Sequence, residues 1–127
     1  MTLSFSDVMK NRRSVYALGK DSGIKKNTIE SLVKEATDSV PSAFNSQSQR
    51  AVILEGAAHD KLWAIVLETL RKLVPAAKFT KTEEKIRGFA AGEGTILFFD
   101  DEEVTERLIK AFPLYAENFK PWAEQQN

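Results

Sequence analysis

Between the strongest helical pattern of the chain and a run typical of a strand lies the polar stretch Pro41-Ser-Ala-Phe-Asn-Ser-Gln-Ser-Gln49. Upstream of it, apolar residues at helical spacing predict a helix over Lys26–Ser39, in which Asn27 and Glu30 stand as in a capping box. Downstream, β-branched and apolar residues predict a strand over Arg50–Glu55. Proline and small polar side chains end the helix, so the stretch is predicted to be a loop that offers many hydrogen-bonding groups.

The remaining apolar patterns predict further helices and one more strand, in the order α, α, β, α, α, β, α, α along the chain. The predicted helices run from about Ser6 to Arg13 with Ser4 or Ser6 as the cap, over Ala58–Leu73, over Lys81–Phe89, from Asp100 to about Ala111, and from Leu114 onward. The fully apolar run Thr95–Phe99 predicts a strand buried on both faces. This order indicates an α+β fold of helices on a sheet. Since no repeat or linker divides the sequence, we expect one domain over residues 1–127.

The composition is that of a globular domain with no overall charge. The 127 residues include 18 Lys and Arg, 18 Asp and Glu, one His and no Cys, which leaves a formal net charge of zero. Zero net charge gives no broad reason to expect a nucleic acid or an anionic membrane as a partner, so any anion site must be local. Without cysteine the chain has no disulfide, thiolate metal site or cysteine nucleophile. The N-terminus lacks a signal-peptide pattern and no apolar run reaches membrane-spanning length, so we expect a cytoplasmic protein.

Two arginines and a serine follow each other in Asn11-Arg-Arg-Ser-Val15, at the predicted end of the first helix. Guanidinium groups bind phosphate oxygens through paired hydrogen bonds, and a serine hydroxyl adds a neutral donor. Arg12, Arg13 and Ser14 are therefore candidates for binding a phosphate monoester. The alternative is a solvated basic helix end that the helix dipole stabilises.

A second candidate site lies in the polar loop, where Ser42, Asn45, Gln47 and Ser48 bring hydroxyl and amide groups together between a helix and a strand. Such groups suit the hydrogen-bonding edge of a polar heterocycle. The alternative is an ordinary helix end with Asx-type turns.

Other polar and aromatic residues favour structural roles. The only histidine, His59, has no partner suited to acid–base catalysis, and we interpret it as a surface residue. The acidic pair Asp100-Asp101 suits the start of a helix better than a cation site, so we expect no metal site. We interpret both tryptophans and several phenylalanines as core or dimer-interface residues, namely Trp63, Trp122, Phe98, Phe99, Phe112 and Phe119.

Four segments together resemble the flavin-dependent nitroreductase family, and in particular its branch of short nitroreductase-like proteins of bacteria and fungi. They are Arg12-Arg-Ser-Val15, Pro41-Ser-Ala-Phe-Asn-Ser-Gln-Ser-Gln-Arg50, the strand Thr95–Phe99 and Glu117-Asn-Phe-Lys-Pro-Trp122. The resemblance covers the chain from Ser6 onward. It implies a nitroreductase-like sandwich of helices around a mostly antiparallel sheet, and a homodimer that holds one FMN at each of two sites built across the subunit interface.

The resemblance also assigns residues to the flavin site. The positions that match those holding the ribityl phosphate are Arg12, Arg13 and Ser14. The positions that match the stretch laid by the partner subunit against the isoalloxazine ring are Pro41, Ser42 and Ala43, and those that match polar positions near the ring are Asn45 and Gln47. No catalytic side chain is implied, because the flavin itself accepts hydride from NADH or NADPH and passes it on.

The implied function is that of an FMN-dependent NAD(P)H oxidoreductase, which reduces nitroaromatic or quinone-type small molecules by ping-pong hydride transfer. Family members continue past the position that matches Asn127, through a further strand and a basic residue of the phosphate site. The resemblance therefore leads us to expect a chain that lacks the C-terminal part of the sheet and of the flavin site. The alternative function is a cofactor-free dimeric interaction or regulatory module derived from the same fold.

Overall fold

The computed structural model describes residues 4–119 and 121, which form α-helices and two strands. The helices are α1 (Phe5–Asn11), α2 (Lys26–Ser39), α3 (Gly56–Leu73), α4 (Ala76–Ala90) and α5 (Glu102–Ala111), and the strands are β1 (Gln49–Glu55) and β2 (Gly94–Asp100). Short 3-10 turns cover Ala43–Asn45 and Pro113–Tyr115, and residues 116–119 are helical. The element order and the α+β class predicted from the sequence are confirmed. In the described part of the chain, no helix combines the length and the apolar character needed to cross a membrane.

Contacts between residues divide the chain into two compact units. The first unit contains α1, α3 from Ala57 onward, and α4. The second unit contains α2, β1, β2 and α5. The assignment of residues 1–127 to one domain stays a prediction.

The core of the first unit lies where α3 packs against α4. Phe79 and Ile86 of α4 are buried, and the ring centroids of Trp63 on α3 and Phe89 on α4 lie 5.4 Å apart. Helix α4 begins well before the predicted residue Lys81, because alanines, which are strong helix formers, directly follow its N-cap proline.

His59 is buried in this core, which corrects the prediction that it lies at the surface. It is 1% exposed, its Nε2 lies 3.1 Å from the carbonyl oxygen of Ala90, and its ring stands edge-on to Trp63 at 6.4 Å. His59 shares a helical face with Trp63, which lies one turn later. The C-terminal end of α4 covers this face, since Ala90 contacts His59 and Phe89 contacts Trp63, and such coverage cannot be predicted from the spacing of residues in α3.

Glu83 on α4 pairs with Arg87 of the same helix and with Arg71 of α3. Its Oε1 accepts a hydrogen bond from Arg87 Nη2 at 2.7 Å and lies 3.5 Å from Arg71 Nη2 on α3. The hydrogen bond from Arg87 holds the pKa of Glu83 below its usual value of 4.5. Desolvation opposes this shift, and the charges of Arg87 and Arg71 and the hydrogen bond from Arg71 add to it.

Replacement of this carboxylate, Glu83→Gln, should lower stability at neutral pH and have little effect in acid. Because the pKa of Glu83 is lowered in the folded state, its stabilisation is present above the usual pKa and is lost as pH falls through the folded value. Urea unfolding of both proteins over a series of pH values measures the difference, with Glu84→Gln on the same helix as the control. A difference between wild type and Glu83→Gln that stays constant with pH would contradict this account.

In the second unit, β1 and β2 form a two-stranded antiparallel sheet. The register pairs Gln49 with Asp100 and Glu55 with Gly94. Gly94 is required by a close approach of the strands, because a Cβ at this position would stand 2.9 Å from the carbonyl oxygen of Leu54. Helix α2 packs beside β1, so the polar loop between them begins and ends on fixed elements.

The prediction that β2 is buried on both faces is wrong. Ile96 and Phe98 are 39% and 56% exposed, while their neighbours Thr95 and Leu97 are half-buried. Among the described residues, β2 pairs only with β1, and one face of this sheet is open. A fully apolar run is compatible both with a strand covered on two faces and with a strand that has one open face, so the sequence pattern does not distinguish the two cases.

The predicted bounds of α2 are confirmed, but its predicted capping box is wrong. The N-cap is Lys25, whose side chain makes no capping bond, and Asn27 already lies within the first turn. A capping box is found on α1 instead, at one of the two serines predicted to cap it. There, Ser4 Oγ accepts from the N–H of Asp7 at 3.2 Å, and the Ser4 N–H donates to Asp7 Oδ2 at 3.1 Å.

Candidate functional site

The two candidate arginines lie directly after α1. The helix ends at Asn11, short of the predicted end at Arg13, because Arg12 has an extended backbone with a ψ of 126° while its N–H donates to the carbonyl of Val8. Arg12, Arg13 and Ser14 are exposed. Within residues 4–119 and 121, neither guanidinium pairs with a carboxylate. The three side chains are therefore accessible to an external anion, and the alternative of a solvated basic helix end stays open.

The polar loop after α2 is held by hydrogen bonds within itself. Ser42 Oγ accepts from the backbone N–H of Gln47 at 3.0 Å, and the Ser42 carbonyl accepts from the N–H of Asn45 at 3.0 Å. The side-chain amide of Gln47 donates to Asn45 Oδ1 at 3.4 Å. Ser42, Asn45 and Gln47, which were predicted to lie at a ring site, thus form one hydrogen-bonded group.

Three residues of this loop have a left-handed backbone, with φ of 54° at Phe44, 51° at Asn45 and 52° at Gln47. Outside glycine this conformation costs roughly 1–2 kcal/mol per residue, and a bulky aromatic residue tolerates it less readily than asparagine does. The ring of Phe44 lies within 5.5 Å of three aromatic rings that follow α5, those of Phe112, Tyr115 and Phe119. Packing in this aromatic cluster offsets the backbone strain at Phe44.

The aromatic residues interpreted as core or interface differ in their exposure. Phe119 is buried, at 3% exposure, and belongs to the core of the second unit. Phe98, Phe99 and Phe112 are exposed, so their part in an interface stays a prediction. Trp63 is half-buried in the first unit, and Trp122 lies outside the described residues.

A polar cavity of about 290 Å³ lies between the end of α2 and the loop. Its lining residues are Thr37, Asp38, Val40, Ser42, Asn45, Gln47, Gln49 and Arg50. Pro41 and Ala43 belong to the same loop and do not line the cavity. The volume is at the lower end for ligand pockets, which suits one edge of a heterocycle.

The candidate residues for phosphate and for the ring belong to different units. Arg12, Arg13 and Ser14 are part of the first unit, and the loop is part of the second. Asp38, Gln49 and Arg50 line the cavity but were not predicted as site residues. Gln49 and Arg50 belong to the segment that carries the family resemblance, which is a signal in the sequence, whereas Asp38 lies outside that segment.

At the end of β2 stands the acidic pair Asp100-Asp101, of which Asp101 has the helix-capping role that the sequence predicts. Asp101 is the N-cap of α5, and its Oδ1 accepts from the N–H of Glu103 at 3.1 Å. Asp100 accepts through Oδ2 from the hydroxyl of Thr105 at 3.0 Å. Both carboxylates therefore bond the first turns of α5.

Replacing the hydroxyl of Ser42 should loosen the loop. Ser42→Ala removes the acceptor for the N–H of Gln47, and we expect a loss of about 1 kcal/mol in the free energy of unfolding. Ser46→Ala is the matched control in the same loop, since no side-chain hydrogen bond of Ser46 is seen within the described residues. Chemical denaturation of both variants measures the effect, and equal midpoints for the two would contradict the role given to Ser42.

Comparison with known proteins assigns the chain to a class. The family model of the nitroreductase family matches residues 9–125, and the chain belongs to this family. The nitroreductase-like fold predicted from the four sequence segments is thereby confirmed together with the family.

Individual relatives have the same fold over most of this chain. The chain is 37% identical over 115 residues to HBN1 of Saccharomyces cerevisiae and 33% identical over 120 residues to the nitroreductase FRM2 of the same yeast. These matches cover 89% and 93% of this chain. The solved structure of the nitroreductase CinD from Lactococcus lactis in complex with chloramphenicol matches 97% of the chain at 41% identity with a TM-score of 0.81. The chain spans 56% of HBN1, 59% of FRM2 and 61% of the CinD chain.

Proposed function

We propose that the chain acts in an FMN-dependent oxidoreductase, which takes hydride from NADH or NADPH and passes it to nitroaromatic or quinone-type small molecules in a ping-pong cycle. The observation that carries the proposal is the polar loop, in which Ser42, Asn45 and Gln47 are joined by hydrogen bonds beside a polar cavity. Groups that are held in place before binding orient a heterocycle with little rearrangement. Membership of the nitroreductase family supports the chemical class.

The side chains present fit the two polar ends of FMN. Arg12 and Arg13 are exposed and have no carboxylate partner among the described residues, so two guanidinium forks and the hydroxyl of Ser14 suit a phosphate dianion. In the loop, Ser42 Oγ and Asn45 Oδ1 already accept hydrogen bonds. The Ser42 O–H and the Asn45 NH₂ are thereby oriented as donors for the carbonyl groups and nitrogens of a flavin ring.

Two groups of residues would share the work of binding. Arg12, Arg13 and Ser14 would hold the ribityl phosphate. Pro41, Ser42, Ala43, Asn45 and Gln47 would lie against or near the isoalloxazine ring of the flavin shared with the partner subunit of a homodimer. When bound, FMN supplies the hydride chemistry, and the residues of the chain bind the cofactor and orient its ring. No catalytic side chain is proposed.

The ligands of a solved relative support small nitroaromatic compounds as acceptors. CinD has been solved in complex with chloramphenicol and with 4-nitrophenol, and both ligands carry a nitrophenyl group. The similarity to this chain is 41% identity in both structures. We therefore propose nitroaromatic acceptors as the first substrates to test and quinones as the second.

A second candidate function is a cofactor-free dimeric interaction or regulatory module. The observation in its favour is the apolar face of α1, where Phe5, Val8 and Met9 are all exposed and Phe5 reaches 81%. Exposed apolar patches of this kind mark interaction surfaces. This candidate requires a dimer but no flavin, so cofactor dependence separates the two functions.

Oxidation of NADH and NADPH by the purified chain, with and without added FMN, tests the proposal. With 4-nitrophenol or a benzoquinone as acceptor, we expect oxidation that depends on FMN and gives parallel lines in double-reciprocal plots. Free FMN at the same concentration is the control for non-enzymatic reduction. A dimer by light scattering that shows no FMN-dependent oxidation would contradict the enzyme and support the second candidate.

A further inference from the structure

Arg50 connects the polar loop to the start of α5. Its Nη1 donates to the carbonyl of Gln47 at 2.9 Å and to the carbonyl of Gln49 at 2.8 Å. Its Nη2 donates to Asp101 Oδ2 at 2.8 Å. One planar guanidinium thus holds the last turn of the loop, the first residue of β1 and a residue just beyond the end of β2.

Asp101 fixes the other side of this connection. While Oδ2 accepts from Arg50, Oδ1 accepts from the N–H of Glu103 at 3.1 Å and caps α5. The backbone N–H of Asp101 donates to the carbonyl of Ser48 at 2.9 Å, which extends the strand pairing by one residue into the loop. Asp101 therefore bonds the loop through both its backbone and its side chain.

The loop needs such anchoring because of its backbone. Phe44, Asn45 and Gln47 all have positive φ, a conformation that residues other than glycine leave readily when their tertiary contacts are lost. The aromatic cluster holds the ring of Phe44. Arg50 holds the other end, since it bonds the carbonyl of Gln47, the residue whose N–H is bonded to Ser42 Oγ.

We infer that Arg50 and Asp101 are positioning residues, which hold Asn45 and Gln47 in the left-handed arrangement that receives the flavin ring. This inference rests on the proposed function for its ligand. The ion pair itself is partly exposed, with 51% of the Arg50 side chain and 30% of the Asp101 side chain accessible, so it adds little to overall stability. Its effect is local, because three acceptors in different segments are fixed by one rigid group.

Three variants separate the parts of this connection. Arg50→Ala removes all three hydrogen bonds, and Arg50→Lys keeps the charge but loses the planar fork that reaches three acceptors at once. Asp101→Asn keeps an oxygen that can cap α5 and removes the carboxylate that pairs with Arg50. Arg107→Ala, an exposed arginine of α5 in the same unit, is the matched control.

The first measurement uses no flavin. Amide hydrogen exchange by NMR should be at least about tenfold faster at Gln47 and Asp101 in Arg50→Ala, with unchanged exchange in α3 and in the Arg107→Ala control. Arg50→Lys should restore less than half of the lost protection on a logarithmic scale, and Asp101→Asn should resemble Arg50→Ala at Gln47. Unchanged exchange at both amides in Arg50→Ala would overturn the inference.

The second measurement adds FMN to the same proteins. We expect Arg50→Ala and Asp101→Asn to bind FMN about tenfold more weakly than wild type and to change the visible circular dichroism of the bound flavin, while Arg107→Ala does neither. Faster loop exchange with unchanged FMN affinity and an unchanged flavin spectrum would overturn the positioning role. A wild-type chain that binds no FMN would overturn the proposed function and the flavin role of the pair with it. The exchange rates measured without FMN would still show whether the pair holds the loop.

Discussion

The double variant Arg12→Ala/Arg13→Ala is expected to bind FMN at least about 100-fold more weakly than the wild-type chain. Hydrogen bonds to charged groups contribute about 1.5–3 kcal/mol each, so the loss of two guanidinium partners of one phosphate removes about 3 kcal/mol or more. Both side chains are exposed and follow the end of α1, so their removal should leave the fold intact. Quenching of FMN fluorescence in a titration measures the two dissociation constants.

A matched control distinguishes a phosphate site from a general effect of charge. Lys78→Ala/Lys81→Ala also removes two positive charges, here from exposed positions of α4, and it should change FMN affinity by less than about twofold. The pair Arg12→Lys/Arg13→Lys should fall between wild type and the alanine pair, because lysine keeps the charge without the fork. An equal loss of affinity in the Arg12/Arg13 and Lys78/Lys81 alanine pairs would contradict a local phosphate site and favour the solvated helix end.

Removal of the buried imidazole should strongly destabilise the first unit. His59→Ala leaves a cavity beside Trp63 and deprives the carbonyl of Ala90 of its partner, so we expect a loss of about 2–4 kcal/mol in the free energy of unfolding. His59→Phe keeps most of the volume but not the hydrogen bond, and its loss should be smaller. Urea denaturation monitored by tryptophan fluorescence measures both variants.

The neighbouring exposed lysine of α3 provides the control for His59. Lys61→Ala should change stability by less than about 0.5 kcal/mol, as is usual for surface substitutions. If His59→Ala and Lys61→Ala had the same small effect, His59 would behave as the surface residue that the sequence alone predicts, and the buried position would be contradicted.

Local sequence patterns predicted where helices and strands lie better than they predicted which residues are buried. The bounds of α2 follow from its own helical spacing and were predicted correctly, and β1 differs from its prediction only at Gln49. The burial of β2 and of His59 was predicted wrongly, because both depend on which other elements cover a face. Which elements cover a face depends on tertiary packing, and the spacing of residues within one element does not predict it. The cytoplasmic location stays a prediction.

In the candidate site, too, the local structure was predicted and the tertiary contacts were not. Its loop was located correctly, since Pro41 and the small polar residues after it end a helix in any context. The left-handed backbone of Phe44 was not predicted, because an aromatic residue avoids this conformation unless distant rings hold it. The bond between Arg50 and Asp101 joins residues far apart in sequence and becomes visible only once β1 and β2 are paired.

The decisive measurement is flavin binding by the purified 127-residue chain, with its intact mass confirmed. After incubation with FMN and gel filtration, we expect a yellow protein with about one FMN per chain, whose flavin absorption is lost in the Arg12→Ala/Arg13→Ala variant. A folded, colourless wild-type protein of the same mass that takes up no FMN would contradict the proposal that this chain binds FMN.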